Sequence, residues 1–292
     1  MIIVKLIGGL GNQMFQYATA RRLAEKHSTI LKLDVTGFEE YKLHRYSLHC
    51  FQTWEYLATQ TEIKSIKGNQ NLFNRLKRKI TSKLDAKHPK NSWIIEKQFN
   101  FDADILETPN NVLLDGYWQT EKYFADITDI LRREFVIKYQ QDNQSQKFAD
   151  SIQSTEAVSL HVRRTDYVQD ALTNKIHGTC DQNYYARSVH YIAERVANPH
   201  FFIFSDEPQW ARDNLKFDFP TTVVDCNDAS RNYEDLRLMS MCKHNIIANS
   251  SFSWWGAWLN ANLDKIICAP NQWFIDPTRN TKDVIPDTWI KL

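Results

Sequence analysis

Residues 2–7 form an apolar run broken only by Lys5, the pattern of a strand buried on both faces of a parallel sheet. Gly8-Gly9-Leu10-Gly11 follows and predicts a tight turn into a helix whose inner face carries Met14, Phe15 and Ala18. Residues 29–35 supply the next strand, so the chain opens as β-α-β, the start of a doubly wound sheet. The same grammar begins again near residue 157. Residues 158–162 and 201–204 read as strands with a helix over 184–196 between them, and a helix over 233–242 precedes a strand over 245–248. The polar stretch 140–153 separates the two series. The expectation is an α/β protein of two Rossmann-like domains facing a cleft, divided into 1–150 and 151–292.

One segment stands apart. Between residues 71 and 90, Leu72, Phe73, Leu76, Ile80 and Leu84 fall at helical spacing opposite Arg75, Lys77, Arg78, Lys79, Lys83 and Lys87. This basic amphipathic helix fits peripheral contact with an anionic membrane surface, and it equally fits a solvated helix packed on its own domain.

Composition narrows the chemistry. Lys+Arg 36 against Asp+Glu 35 leaves a formal charge of +1, so the whole chain shows no basic excess for a nucleic-acid partner and any anion site must be local. Cys50, Cys180, Cys226, Cys242 and Cys268 are widely spaced with no C-x-x-C pair, the usage of buried thiols in a reducing compartment. The amino-terminal apolar run is too short for a signal peptide, and no later run reaches the roughly 18 residues of a membrane span. A cytoplasmic protein is expected, peripheral on the inner membrane face if the basic helix binds there.

The candidate chemistry lies where predicted strands end. Residues 157–166 pass from an apolar run into His161, Arg163, Arg164 and Asp166. Ligands of open α/β sheets bind at the carboxyl ends of strands, and paired guanidinium forks match the oxygens of a pyrophosphate. The competing reading is a structural salt-bridge cluster, whose exposed pairs would add only about 0–1 kcal/mol each. Ser250 and Ser251 follow another apolar strand and predict an anion-binding turn at a helix start. Trp254 and Trp255 either stack on a base or sugar or pack in the core. Asp235 either accepts hydrogen bonds from a guanine edge or is a solvated helix carboxylate.

Gly9-x-Gly11 with Asp34 on the next strand approximates a dinucleotide fingerprint, but Met14 occupies its third small position and Asn12-Gln13 place amides where a pyrophosphate needs bare backbone. The loop reads better as a polar contact surface with a glycine bend. Asp102-x-Asp104 matches a metal-binding pattern literally but lacks a preceding apolar strand, so no metal is expected.

Gly8 to Ala18, His161 to Val168, Phe204 to Glu207 and Asn249 to Gly256 resemble, in this order and over nearly the whole chain, the motifs of the bacterial α-1,2-fucosyltransferases of glycosyltransferase family 11. The resemblance implies a GT-B fold, GDP-β-L-fucose as donor, a terminal β-galactoside as acceptor, and inverting transfer without metal or cofactor, in surface polysaccharide (O-antigen) synthesis. Thr165 stands where the family commonly has glycine, although related α-1,6-fucosyltransferases also carry Thr there. Carried over, Arg163 grips the donor β-phosphate, His161 and Arg164 lie near the nucleotide, Asp235 binds guanine, and Ser250 and Ser251 bind phosphate. Asn12 reaches donor sugar and acceptor from the opposite domain. Gly9, Gly11, Gln13 and Asp166 support these groups, and Gly116-Tyr117-Trp118-Gln119 is a mainly structural family motif. A 1–150 acceptor-side domain and a 151–292 donor-binding domain follow. Asp166, Asp206, Glu207 or a water relay would take the acceptor proton. A nicotinamide oxidoreductase using Asp34 and an inactive carbohydrate-binding protein are the alternatives.

Overall fold

The computed structural model describes residues 1–40, 43–67 and 92–292. The basic helix expected over 71–90, with its membrane contact, lies outside the described residues. The chain divides into two compact units, Met1–Val136 and Ile137–Leu292.

The first unit is built on strands β1 (Ile2–Lys5), β2 (Leu31–Asp34), β3 (Trp93–Ile95) and β4 (Val112–Asp115), all parallel, in the order β2-β1-β4-β3. Ile2 stands in register with Leu31 on one side and Val112 on the other. Helix Leu10–Lys26 packs on β1 and β2 and buries Met14, Phe15 and Ala18 completely, as the spacing predicts. Ile3 and Leu113 meet Ile63 and Ile66 of helix Gln60–Lys67. The bend between β1 and its helix depends on Gly8, whose φ of +77° lies in the left-handed region and where a Cβ would stand 2.5 Å from Asn12 Nδ2. Gly9 has ordinary extended backbone, so the special position is one residue earlier than the G-x-G pattern suggests.

The second unit carries β5 (Glu156–Val162), β6 (Pro199–Ser205), β7 (Thr221–Val224), β8 (His244–Ile246), β9 (Ile267–Ala269) and β10 (Ile290–Lys291). Their order is β7-β6-β5-β8-β9-β10, all parallel, which counted from β5 is the 3-2-1-4-5-6 arrangement of a Rossmann sheet. Val158, Leu160, Phe201, Ile203 and Ile246 pack with Tyr184, Tyr185, Val189 and Ile192 of helix Gln182–Ala193 into one core.

The polar stretch expected to link the domains carries helix Asn143–Gln153, which packs on helix Asn232–Met241 inside the second unit. Asp142 starts it, accepting the backbone N–H groups of Gln144 and Ser145 while pairing with Arg231. Only Ser145, Ala149 and Ile152 are buried, a narrow stripe that leaves the segment polar along its length.

Candidate active site

Strand order in the second sheet reverses between β5 and β8, so the connections leaving their carboxyl ends run apart and open a crevice. The segment after β5 delivers Arg163, Arg164 and Thr165 there, and the segment after β8 delivers Asn249, Ser250, Ser251 and Phe252. Contacts join the two sides. The Tyr167 hydroxyl donates to the Asn249 carbonyl at 3.3 Å, and the His161 ring lies 5.6 Å from that of Phe252.

Asp206, just beyond β6, holds the turn. Its carboxylate accepts the backbone N–H of Arg164 at 3.0 Å and of Thr165 at 3.1 Å, and pairs with Arg163 Nη1 at 3.2 Å. The guanidinium of Arg163 also lies 5.6 Å from the Tyr167 ring centre. Arg164 turns elsewhere, bonding Glu207 at 3.0 Å and stacking 3.9 Å over Trp210. The adjacent arginines therefore point to different partners. With Asp206 and Glu207 engaged in this way, both carboxylates serve as anchors for the arginine loop. Asp166 lies on the short helix Thr165–Gln169.

His161 is buried beneath the turn, and desolvation, reinforced by the Arg163 charge, pushes its imidazole down to about 3. It is neutral at working pH. Its carbonyl accepts the Tyr185 hydroxyl, while its buried Nδ1 has no hydrogen-bond partner.

Ser250 is buried at the N-cap of helix Ser251–Leu259, and its side chain makes no capping bond. The first turn of this helix begins directly after β8, and helix N-termini favour anions. Trp254 and Trp255 are fully buried; with Trp258 and Trp289 they form an aromatic cluster, and Trp254 Nε1 donates to the Val284 carbonyl at 2.8 Å. Packing, not sugar stacking, is their role. Asp235 occupies the first turn of helix Asn232–Met241, after β7, and accepts from Asn227 Nδ2 at 2.8 Å. The side chain is half-buried, and burial pushes its carboxyl up to about 7.

The first sheet has its own reversal, between β1 and β4. Asn12, after β1, accepts from Gln119 Nε2, after β4, at 2.8 Å. Glu96, after β3, accepts the N–H groups of Tyr117 at 2.7 Å and Trp118 at 3.0 Å, and a Cβ on Gly116 would strike it at 2.4 Å. Gly116 to Gln119 therefore belongs to the same edge as Asn12. Gln13 turns inward. Fully buried, it donates to the carbonyls of Gly8 and Arg45, each at 2.8 Å, and accepts Ser47 N–H at 2.8 Å. Gly11 is buried in the first helical turn.

The His44 ring lies in ordinary packing distance of the turn: a Cβ on Gly9 would lie 3.4 Å from His44 Cε1, 3.6 Å from Nδ1 and 3.7 Å from Nε2. Asp34 is buried, and its Oδ1 accepts the N–H and hydroxyl of Thr36. Asp102 likewise caps its own 3-10 turn by accepting Asp104 N–H.

All 292 residues match the family described as Glycosyl transferase family 11. The chain belongs to that family. Among its relatives, an Alpha-1,2-colitosyltransferase of Escherichia coli is 35% identical, covering 100% of this chain and 99% of its own. The O-antigen biosynthesis glycosyltransferase WbnK of Escherichia coli is 31% identical over 98% and 99% of the two chains. Galactoside alpha-(1,2)-fucosyltransferase 2 of Pongo pygmaeus is 24% identical over 88% of this chain and 68% of its own. The two parallel α/β units are thus those of a family 11 glycosyltransferase. Among the described residues, no helix is long and apolar enough to cross a membrane.

Proposed function

We propose that this family 11 glycosyltransferase moves L-fucose from GDP-β-L-fucose to the 2-hydroxyl of a terminal β-galactoside, inverting the anomeric centre, in O-antigen synthesis. The observation that carries the donor half is Arg163, anchored by Asp206 at the switch point of a Rossmann sheet. The linkage rests on the α-1,2 specificity in the relatives' names.

In this mechanism the second unit binds GDP. Arg163 meets the β-phosphate oxygens, Ser250 and Ser251 with the adjoining helix amides bind the diphosphate, and Asp235 accepts from the guanine edge. Arg164, stacked on Trp210, buttresses the loop, and neutral His161 lines the nucleotide site. As the fucosyl–oxygen bond breaks, negative charge grows on departing GDP, and the fixed guanidinium stabilises it where other enzymes use a metal. The first unit binds the galactoside, with the Asn12 amide oriented by Gln119 toward the sugars. Arg163→Ala raises the barrier by about 2–4 kcal/mol. Turnover by this variant close to wild type at saturating donor refutes the assignment.

The colitosyltransferase relative favours a second reading of the donor. Colitose is the 3-deoxy counterpart of fucose, and a site that hydrogen-bonds the 3-hydroxyl rejects an analogue lacking it by large factors. Parallel assays with GDP-L-fucose and GDP-L-colitose on a panel of β-galactosides, with product linkage assigned by NMR, decide between them. Release of GDP only from GDP-colitose overturns the fucosyl reading.

A further inference from the structure

We infer that Glu96 is a positioning residue for the acceptor site: its carboxylate holds the left-handed turn at Trp118 that sets Gln119 against the Asn12 amide. This role rests on the reading of the first unit as the one that binds the galactoside, and all four residues belong to that unit. Trp118 has a φ of +57°, a region that a bulky side chain adopts only where its surroundings impose it. Its ring is buried and meets that of Tyr123 edge-on at 5.8 Å. The residue that this strained backbone places is Gln119.

The turn is built from the carboxyl ends of two neighbouring strands. Glu96 follows β3 and Gly116 follows β4, and Glu96 N–H donates to the Asp115 carbonyl at 3.0 Å, so strand pairing carries the two segments side by side. The Glu96 carboxylate then accepts Tyr117 N–H through Oε2 at 2.7 Å and Trp118 N–H through Oε1 at 3.0 Å. Bonds to a charged acceptor are stronger than neutral ones, and two in succession fix both peptide planes. Gly116 admits this approach because it has no side chain: a Cβ would stand 2.4 Å from Glu96 Cβ and 2.9 Å from Trp118 Cε2. Thr120 N–H returns to the Trp118 carbonyl at 2.9 Å, which closes a three-residue turn centred on Gln119.

The output is the orientation of one amide. Gln119 is itself buried, and its Nε2 donates to Asn12 Oδ1 at 2.8 Å. That bond takes the oxygen end of the Asn12 side chain and sets its nitrogen end at Gly8, where a Cβ would stand 2.5 Å from Nδ2. The edge of the sheet is thereby given a donor of fixed direction, the chemistry that recognises a sugar hydroxyl or ring oxygen. A reversed amide would present its carbonyl instead. Loss of the Glu96 carboxylate frees the turn at Trp118, and the error reaches Asn12 through Gln119.

The test measures acceptor KM, kcat and GDP affinity for wild type, Glu96→Gln, Gln119→Leu and the double variant on the panel of β-galactosides, lactose included, with thermal unfolding as a check on folding. The positioning role expects each single variant to raise acceptor KM about 5–10-fold, the worth of about one directed hydrogen bond, while kcat changes less and GDP affinity stays the same. Because Glu96 acts through Gln119, the double variant should be no worse than Gln119→Leu alone, a coupling that independent structural damage does not produce. Should Glu96→Gln not fold, Glu96→Asp, which keeps the charge one carbon short, carries the same expectation. A folded Glu96 variant that keeps the wild-type acceptor KM, or whose effect multiplies with that of Gln119→Leu, overturns the positioning role and leaves the transferase reading standing. A wild type that transfers neither fucose nor colitose to any galactoside overturns that reading, and this role with it.

Discussion

Replacing Gln13 with Met removes three hydrogen bonds while nearly preserving side-chain length, so it tests whether this amide holds the fold or faces a ligand. The side chain is fully buried and serves Gly8 O, Arg45 O and Ser47 N–H, each at 2.8 Å. A net contribution of about 1 kcal/mol per bond gives roughly 3 kcal/mol, and a buried group left without a partner costs about 1–3 kcal/mol. The Arg45–Ser47 segment is partly exposed and can recover some of this from water, so the loss should settle at about 3–4 kcal/mol. With about 3 °C per kcal/mol for a domain of this size, the melting temperature falls by roughly 10 °C. Differential scanning calorimetry reads that shift, and amide exchange at Ser47 reports whether the loop opens locally first. Stability within about 0.5 kcal/mol of wild type, with weakened sugar binding, would refute the assignment of Gln13 as an internal support.

Asp206→Ala removes the acceptor for two backbone N–H groups and a partner of Arg163, and should destabilise the second unit by about 3 kcal/mol, at about 1.5 kcal/mol for each of the two charge-assisted N–H bonds. Urea unfolding measures it, and an unchanged midpoint would mean that the arginine loop keeps its shape without the carboxylate. Asp235 gives a pH prediction of definite sign. Its folded value of about 7 lies above the unfolded carboxylate value, so the folded state binds the extra proton; stability falls as pH rises from about 4 through 7. Asp235→Asn should flatten that decline. If the carboxylate accepts from guanine, wild-type GDP affinity rises across the same range and the variant's does not, as calorimetry at several pH values would show.

Much of the framework was legible. Met14, Phe15 and Ala18 are buried at helical spacing, and the apolar runs before Gly8 and His161 are parallel strands, because burial on both faces demands continuous hydrophobicity. The 140–153 segment misled because a helix resting on one narrow stripe looks like a linker when only its polarity is counted. At the candidate site, chain order placed Arg163 and Arg164 together after β5 but could not distinguish their directions. Neighbours in sequence share a backbone, whereas their side chains follow whichever partners lie nearby: Asp206 for one, Glu207 and Trp210 for the other.

The sequence by itself determined the two β-α-β series, the buried faces and the ordered motifs, since periodicity and turn chemistry are local properties. The tertiary structure alone decided that Trp254 and Trp255 are core, that Asp235 is half-buried and bonded to Asn227, and that His44 packs beside Gly9. Each of these depends on which groups from distant parts of the chain exclude water or supply a partner, and sequence spacing does not encode that.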